Sequence, residues 1–158
     1  MPLFFLFTIF IYLSPFVFKS DTGTILQTAV IKQRVMEKLF VVLGSISAFL
    51  GIALGAFGAH VLKGKISEEM LAVFETGVKY QMYHALALLA LAFAQLHWPE
   101  ARLELCGWLF AAGIILFSGS LYALALTGIK FLGIITPFGG LCFLAGWAWF
   151  AFQILVSH

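Results

Sequence analysis

Four long stretches of this chain contain no Asp, Glu, Lys or Arg: Leu39–Ala59, Tyr80–Trp98, Leu105–Ile129 and Phe131–His158. Each stretch can supply the roughly 20 apolar residues that an α-helix needs to cross a bilayer core about 30 Å thick. The charged residues are confined to the ends and connections, where water or lipid headgroups can solvate them. The pattern predicts an all-α integral membrane protein.

The composition supports this class. Of the 158 residues, 63% are hydrophobic and 10% are charged, which is too apolar for a soluble domain. The apolar composition predicts the lipid bilayer as the partner, and the small net charge of +2 without a basic run predicts no nucleic acid. Cys106 and Cys142 lie in predicted spans, where two thiols predict packing residues and no disulfide framework.

Residues 1–35 differ from the rest of the chain. The apolar segment Leu3–Phe18 is interrupted by Ser14-Pro15, no Lys or Arg precedes it, and a polar linker, Lys19–Arg34, follows it. Three interpretations compete: a fifth short membrane segment, a cleaved signal peptide, and upstream sequence translated from too early a start codon. We expect the third, with the native start at Met36. The predicted domains are therefore residues 1–35, an N-terminal extension, and residues 36–158, the transmembrane domain.

The predicted fold of the second domain is an integral membrane four-helix bundle with spans at about 39–59, 80–98, 105–127 and 132–156. Between the first two spans, Ser67 is a predicted N-cap. The helical spacing of the apolar residues that follow predicts a short amphipathic interfacial helix, bending at Gly77 into the second span. Thr127-Gly128 is expected to end the third span, and Pro137 to kink the fourth.

Small side chains recur every four residues in the first span, at Ser47, Gly51, Gly55 and Ala59. Such a stripe lets another helix backbone approach closely, which is how membrane helices gain packing contacts. The alternative is a face that lines a pore or a substrate path. We predict a helix-packing stripe, which by itself does not establish a homo-oligomer.

Polar side chains are concentrated in the second, third and fourth spans. In a membrane interior such groups normally face other helices or a cavity. We predict a shared hydrogen-bonded network, with a small polar cavity for a solute as the alternative. The predicted intramembrane cluster consists of Thr76, Tyr80, Gln81, His84, Ser118, Ser120, Tyr122 and Thr136.

His60 and His84 are expected near the same membrane face, because a single loop joins the spans that carry them. Neutral imidazole is a good ligand for a metal or a haem, so this pair would permit either one. We expect two interfacial histidines that bond to backbone or water, and therefore no cofactor or metal. The spans contain no carboxylate to orient a histidine and no nucleotide-binding glycine pattern, so no catalytic residue is predicted.

Four strings, one in each predicted span, resemble the signatures of the YgdD-like small inner-membrane proteins. They are Gly55-Ala-Phe-Gly-Ala-His60, Tyr80-Gln-Met-Tyr-His-Ala-Leu-Ala-Leu88, Phe117-Ser-Gly-Ser-Leu-Tyr122 and Ile135-Thr-Pro-Phe-Gly-Gly140. The resemblance runs from Met36 to about residue 156 and leaves residues 1–35 outside it. It implies four helices and residence in the bacterial plasma membrane. It implies no established catalytic or binding residue.

Together these observations predict a multi-pass membrane protein that is not an enzyme and that has a structural or interaction role in the bacterial plasma (inner) membrane. A small-solute transporter or channel component is the alternative. A haem- or metal-binding protein that uses His60 and His84 is the third interpretation. Protein partners and homo-oligomerisation stay open.

Overall fold

The computed structural model describes residues 22–157, and their side chains from Gln27 onward with the exception of Ala29. The predicted apolar segment Leu3–Phe18 lies outside the described residues. The chain divides into two units, residues 1–32 and 33–158. Of the first unit, Thr22–Lys32 are helical and form the beginning of helix α1.

All regular structure in the described part of the chain is helical. Helix α1 spans Thr22–Phe57 and continues as a π-helical turn, Gly58–Leu62. After a loop, α2 spans Glu68–His97. Helix α3 (Glu104–Gly113), a second π-helical turn (Ile114–Ser118) and α4 (Gly119–Thr127) follow one another without a break. A 3-10 helix, Lys130–Ile134, leads into α5, Thr136–Val156.

The helix ends follow local side-chain chemistry. The Ser67 hydroxyl accepts a hydrogen bond from the Met70 backbone N–H at 3.2 Å, which confirms the predicted N-cap of α2. Helix α4 ends at Thr127, and Gly128 follows in the left-handed conformation with φ of 70°, as a C-terminal glycine commonly does. The predicted end of the third span is therefore confirmed.

The predicted interfacial helix and second span form one continuous helix, α2, with Gly77 in its interior, and the bend expected at Gly77 stays a prediction. Two other local predictions differ from the structure. The linker predicted from Lys19 is helical from Thr22 onward. The predicted kink at Pro137 is wrong, because Pro137 lies in the first turn of α5, where a missing N–H costs no helical hydrogen bond.

The second unit has a buried core between its helices. Met36 and Phe40 of α1 pack with Leu88 and Leu91 of α2 and with Phe110 of α3. A smaller cluster joins the start of α2 to α4 through Phe74 and Ala125. Both cysteines are free, as predicted.

The outer surface of these helices is apolar. Phe49, Ile115 and Leu155 are each more than 70% exposed, and they come from three different helices. Three helical segments in the described part of the chain are long and apolar enough to cross a membrane: Val30–Leu62, Glu104–Thr127 and Lys130–Val156. Large exposed apolar side chains along such segments are what lipid contact requires.

Candidate functional site

Helix α2 contributes two buried polar side chains to the predicted cluster, Gln81 and His84. They are 5% and 4% exposed, and they lie three residues apart on the side of α2 that faces the other helices. Buried polar groups are costly unless they are hydrogen-bonded, so the partners of these two residues show what they do.

His84 uses both ring nitrogens. Its Nδ1 lies 2.8 Å from the Tyr80 carbonyl oxygen, and the Trp147 indole N–H donates to its Nε2 at 3.2 Å. An indole nitrogen can only donate, so Nε2 accepts. Nδ1 therefore carries the ring proton and donates a hydrogen bond to the Tyr80 carbonyl. The imidazole is thus a neutral bridge between α2 and α5.

Aromatic rings enclose the same imidazole. The ring of Phe143 stacks on it with a centroid distance of 3.4 Å and an interplanar angle of 9°. Phe110 lies 5.4 Å away, centroid to centroid, in a tilted arrangement. Among the described residues, the groups around His84 include a carbonyl, an indole and the rings of Tyr80, Phe110 and Phe143.

His60 and His84, the pair considered as a metal or haem site, have different surroundings. His60 is exposed in the π-helical turn that ends α1, whereas His84 is buried and hydrogen-bonded. Among the residues that the structure describes, no group of three or more His, Cys, Asp or Glu side chains could hold a metal ion. A metal at His84 would have to break the bond to Trp147, because ligation needs the Nε2 lone pair.

Gln81 joins three helices. Its side-chain NH₂ donates to the Ser47 carbonyl of α1 at 2.8 Å, and its Oε1 accepts from the Tyr122 hydroxyl of α4 at 2.9 Å. The Tyr122 ring in turn packs on Phe74 at a centroid distance of 4.8 Å. This amide therefore fixes α2 against α1 and α4 with one side chain.

A third polar contact joins α4 to α5. The hydroxyls of Ser120 and Thr136 lie 2.8 Å apart, and the Ser120 hydroxyl also donates to the Phe117 carbonyl at 2.9 Å. Thr76 instead donates to the Ala72 carbonyl of its own helix at 2.8 Å. The contacts thus place the predicted cluster in separate groups, at Tyr80 with His84, Gln81 with Tyr122, and Ser120 with Thr136.

Ser118 differs from the other members of the cluster. It is fully buried at the end of the second π-helical turn, and its hydroxyl has no hydrogen-bond partner among the described residues. Its carbonyl oxygen would lie 3.3 Å from a Cβ added at Gly77, and the Tyr122 ring would lie closer still. Gly77 therefore allows α2 to contact this turn at backbone distance.

The four residues of the predicted stripe on α1 differ in how closely α2 approaches them. A Cβ added at Gly51 would lie 2.6 Å from the Met82 sulfur, and one at Gly55 would lie 3.4 Å from Val78. The Ser47 carbonyl accepts from Gln81, whereas Ala59 is exposed. Gly44, outside the predicted stripe, makes the closest backbone approach, because its Cβ would lie 2.9 Å from the Ala85 carbonyl oxygen.

Two functional contacts were missed by sequence reasoning. The sequence assigned Trp147 no partner, yet its N–H is bonded to His84. Gln153 received no role, yet its side-chain oxygen accepts from the Arg102 backbone N–H at 2.9 Å and so holds the loop before α3. The sequence feature that could have indicated both contacts is an amide and an indole N–H in the otherwise apolar helix α5, since such groups need hydrogen-bond partners when they are buried.

Comparisons with known proteins agree with the membrane class. Residues 54–140 match the family model described as "Protein of unknown function (DUF423)". UPF0382 membrane protein YwdK of Bacillus subtilis is 52% identical over 111 residues, which are 70% of this chain and 90% of that protein. UPF0382 membrane proteins SAB0533 of Staphylococcus aureus and SH2409 of Staphylococcus haemolyticus are 52% and 47% identical over 110 residues, each covering 70% of this chain and 89% of the relative.

No solved structure matches the chain. The family model contains Gln81, His84 and Tyr122, whereas the partners Ser47 and Trp147 lie outside its residues 54–140. The relatives bear only the description of membrane proteins. The chain therefore belongs to the DUF423 family of proteins of unknown function and is, like these relatives, a bacterial membrane protein.

Proposed function

We propose that this chain is a four-span protein of the bacterial plasma membrane without enzymatic activity, in which buried polar contacts hold the helices together for a structural or interaction role. The observation that supports this most strongly is the use of both His84 nitrogens inside the protein. A histidine bonded in this way orients helices, and it would have to give up Trp147 before it could bind a metal or take a proton from a substrate.

The span that this proposal adds to the three long apolar segments is the predicted second span, residues 80–98, which α2 covers as far as His97. It is less apolar than the other three spans because it contains Gln81, His84, Gln95 and His97, and of these Gln81 and His84 are buried against protein. A membrane helix can carry such groups on the side that packs against other helices, since its polar side chains find partners there.

We also propose that the first three turns of α2 lie in the membrane interface, as the predicted amphipathic helix. Glu68, Glu69, Glu75 and Lys79 are all exposed there, and charged side chains of this kind favour headgroup depth. Four helices in the bacterial plasma membrane are also what the resemblance to the YgdD-like proteins implies.

The test is purification of the full chain from its native membrane in a mild detergent, followed by native mass, an absorbance spectrum and thermal melting with a panel of small solutes. The proposal predicts a stoichiometric protein partner or a defined oligomer, no visible absorbance and no solute-dependent shift of the melting temperature.

Two results would contradict the proposal. A Soret band that His84→Ala abolishes would establish haem binding. A melting shift by one solute that is lost in Gln81→Ala, and kept in Thr76→Val, would establish a solute site. Thr76→Val is the matched control because the Thr76 hydroxyl bonds a carbonyl of its own helix.

A further inference from the structure

An apolar groove of about 550 Å³ lies between α1 and α2. Its walls include Val41 and Val42 from α1 and Leu89 and Phe93 from α2. Val42 is 51% exposed and Phe93 is 62% exposed, so the groove opens to the surroundings of the protein. Its volume and its apolar walls suit a ligand that is itself apolar.

The helix contacts explain why the groove forms here. At Gly44 the α1 backbone approaches the Ala85 carbonyl of α2 so closely that a Cβ would lie 2.9 Å from it. On the N-terminal side of Gly44, Met36 and Phe40 turn into the core and are 5% and 3% exposed. The opposite side of α1 therefore has no core to pack on, and it forms one wall of an open groove.

One end of the groove is charged. Glu37 and Lys38 line it, and these residues immediately precede the uncharged stretch that begins at Leu39. A lysine at this position can bury its stem along apolar surface and keep its ammonium at headgroup depth. The groove thus combines an apolar wall with one carboxylate and one ammonium group at its mouth.

The groove is short. From Leu89 to Leu96, α2 rises about 10 Å, which is about a third of the bilayer core. The upper part of an acyl chain can lie along apolar walls of this length, and the charged residues at one end suit a lipid headgroup better than the apolar face of a second copy.

We propose that the groove binds a phospholipid with an ethanolamine headgroup, one acyl chain lying between α1 and α2, the phosphate at Lys38 and the headgroup ammonium at Glu37. The paired charges at the mouth are complementary to those of this headgroup. A glycerol headgroup on the same phosphate would leave the Glu37 carboxylate facing a net negative lipid.

The experiment is native mass spectrometry of the full chain in detergent with equal amounts of phosphatidylethanolamine and phosphatidylglycerol. Phosphatidylethanolamine is expected to be retained in preference. Lys38→Ala should lower the retention of both lipids about fivefold, whereas Lys63→Ala, in the loop after α1, should not. Glu37→Gln should abolish the preference for phosphatidylethanolamine.

A groove-filling variant tests the apolar part. Val42→Trp should reduce retention, and Ile52→Trp, at an exposed α1 position outside the groove, should not. Retention of phosphatidylglycerol at or above the level of phosphatidylethanolamine would overturn the proposal, as would equal retention by the two tryptophan variants. If Val42→Trp fails to fold, the charge variants still decide, because Lys38 is exposed and Glu37 is half-buried.

Discussion

The Trp147 indole N–H donates to His84 Nε2 across 3.2 Å, which joins α5 to α2 through two residues 63 positions apart in the chain. The bond accounts for the second nitrogen of a buried imidazole whose first is already engaged by the Tyr80 carbonyl. It also explains how a titratable side chain can lie in an apolar helix pair without a charged partner, since the neutral ring is fully hydrogen-bonded.

Removing this donor should destabilise the protein more than removing an indole elsewhere. Trp147→Phe keeps an aromatic ring but leaves His84 Nε2 buried without its partner, at a cost of about 1–2 kcal/mol. Trp108→Phe is the control, because Trp108 is 51% exposed and its ring meets the edge of Phe40. Thermal melting in detergent measures both variants. Equal melting temperatures would mean that the indole bond contributes nothing.

Gln81 and Tyr122 should be energetically coupled, because one accepts the hydrogen bond that the other donates. In a double-mutant cycle with Gln81→Leu and Tyr122→Phe, we expect a coupling energy of about 0.6–2 kcal/mol. Thr76→Val with Tyr122→Phe is the control cycle and should be additive. A coupling near zero in the first cycle would show that the amide and the phenol act independently.

Glycines of α1 should differ in their tolerance of a methyl group. Gly44→Ala places Cβ against the Ala85 carbonyl, a backbone atom that cannot move aside, and should cost about 1–3 kcal/mol. Gly51→Ala meets the flexible Met82 side chain and should cost less, and Gly55→Ala should be close to neutral. The order of melting temperatures checks this. A lower value for Gly55→Ala than for Gly44→Ala would contradict the α1–α2 packing.

The two buried serines near the second π-helical turn should respond in opposite ways. Ser118→Ala removes a buried hydroxyl that has no partner in the described structure, so stability should stay the same or rise. Ser120→Ala removes the contact with Thr136 and should cost about 1 kcal/mol. Melting of the two single variants decides the matter. A loss at Ser118 as large as that at Ser120 would reveal a partner for its hydroxyl.

The four proposed spans would place the connections on alternating sides of the membrane. In a background with both cysteines replaced by alanine, Lys63→Cys and Lys130→Cys should react with a membrane-impermeant thiol reagent from the same side, and Glu100→Cys from the opposite side. All three positions are exposed. If α2 did not cross, Lys63→Cys and Glu100→Cys would instead react from the same side.

The membrane class and several helix ends could be read from the sequence because they depend on local properties. An uncharged apolar run has the same affinity for lipid whatever surrounds it, and Ser67 caps α2 through a residue three positions away. The role of Pro137 could not be read from the sequence in this way, because the local sequence allows two outcomes. Proline either kinks a helix or begins one, and the 3-10 helix before Thr136 decides that it begins α5.

The polar pairings were decided by tertiary structure alone. The sequence indicated that Gln81 and His84 need partners, but the partners depend on how α1, α4 and α5 are rotated about their axes and where they cross α2. Those rotations follow from contacts such as Gly44 with Ala85 and Phe143 with His84, between residues tens of positions apart. Hydropathy is a property of each segment, whereas a hydrogen bond between helices requires two segments to be placed within about 3 Å of each other.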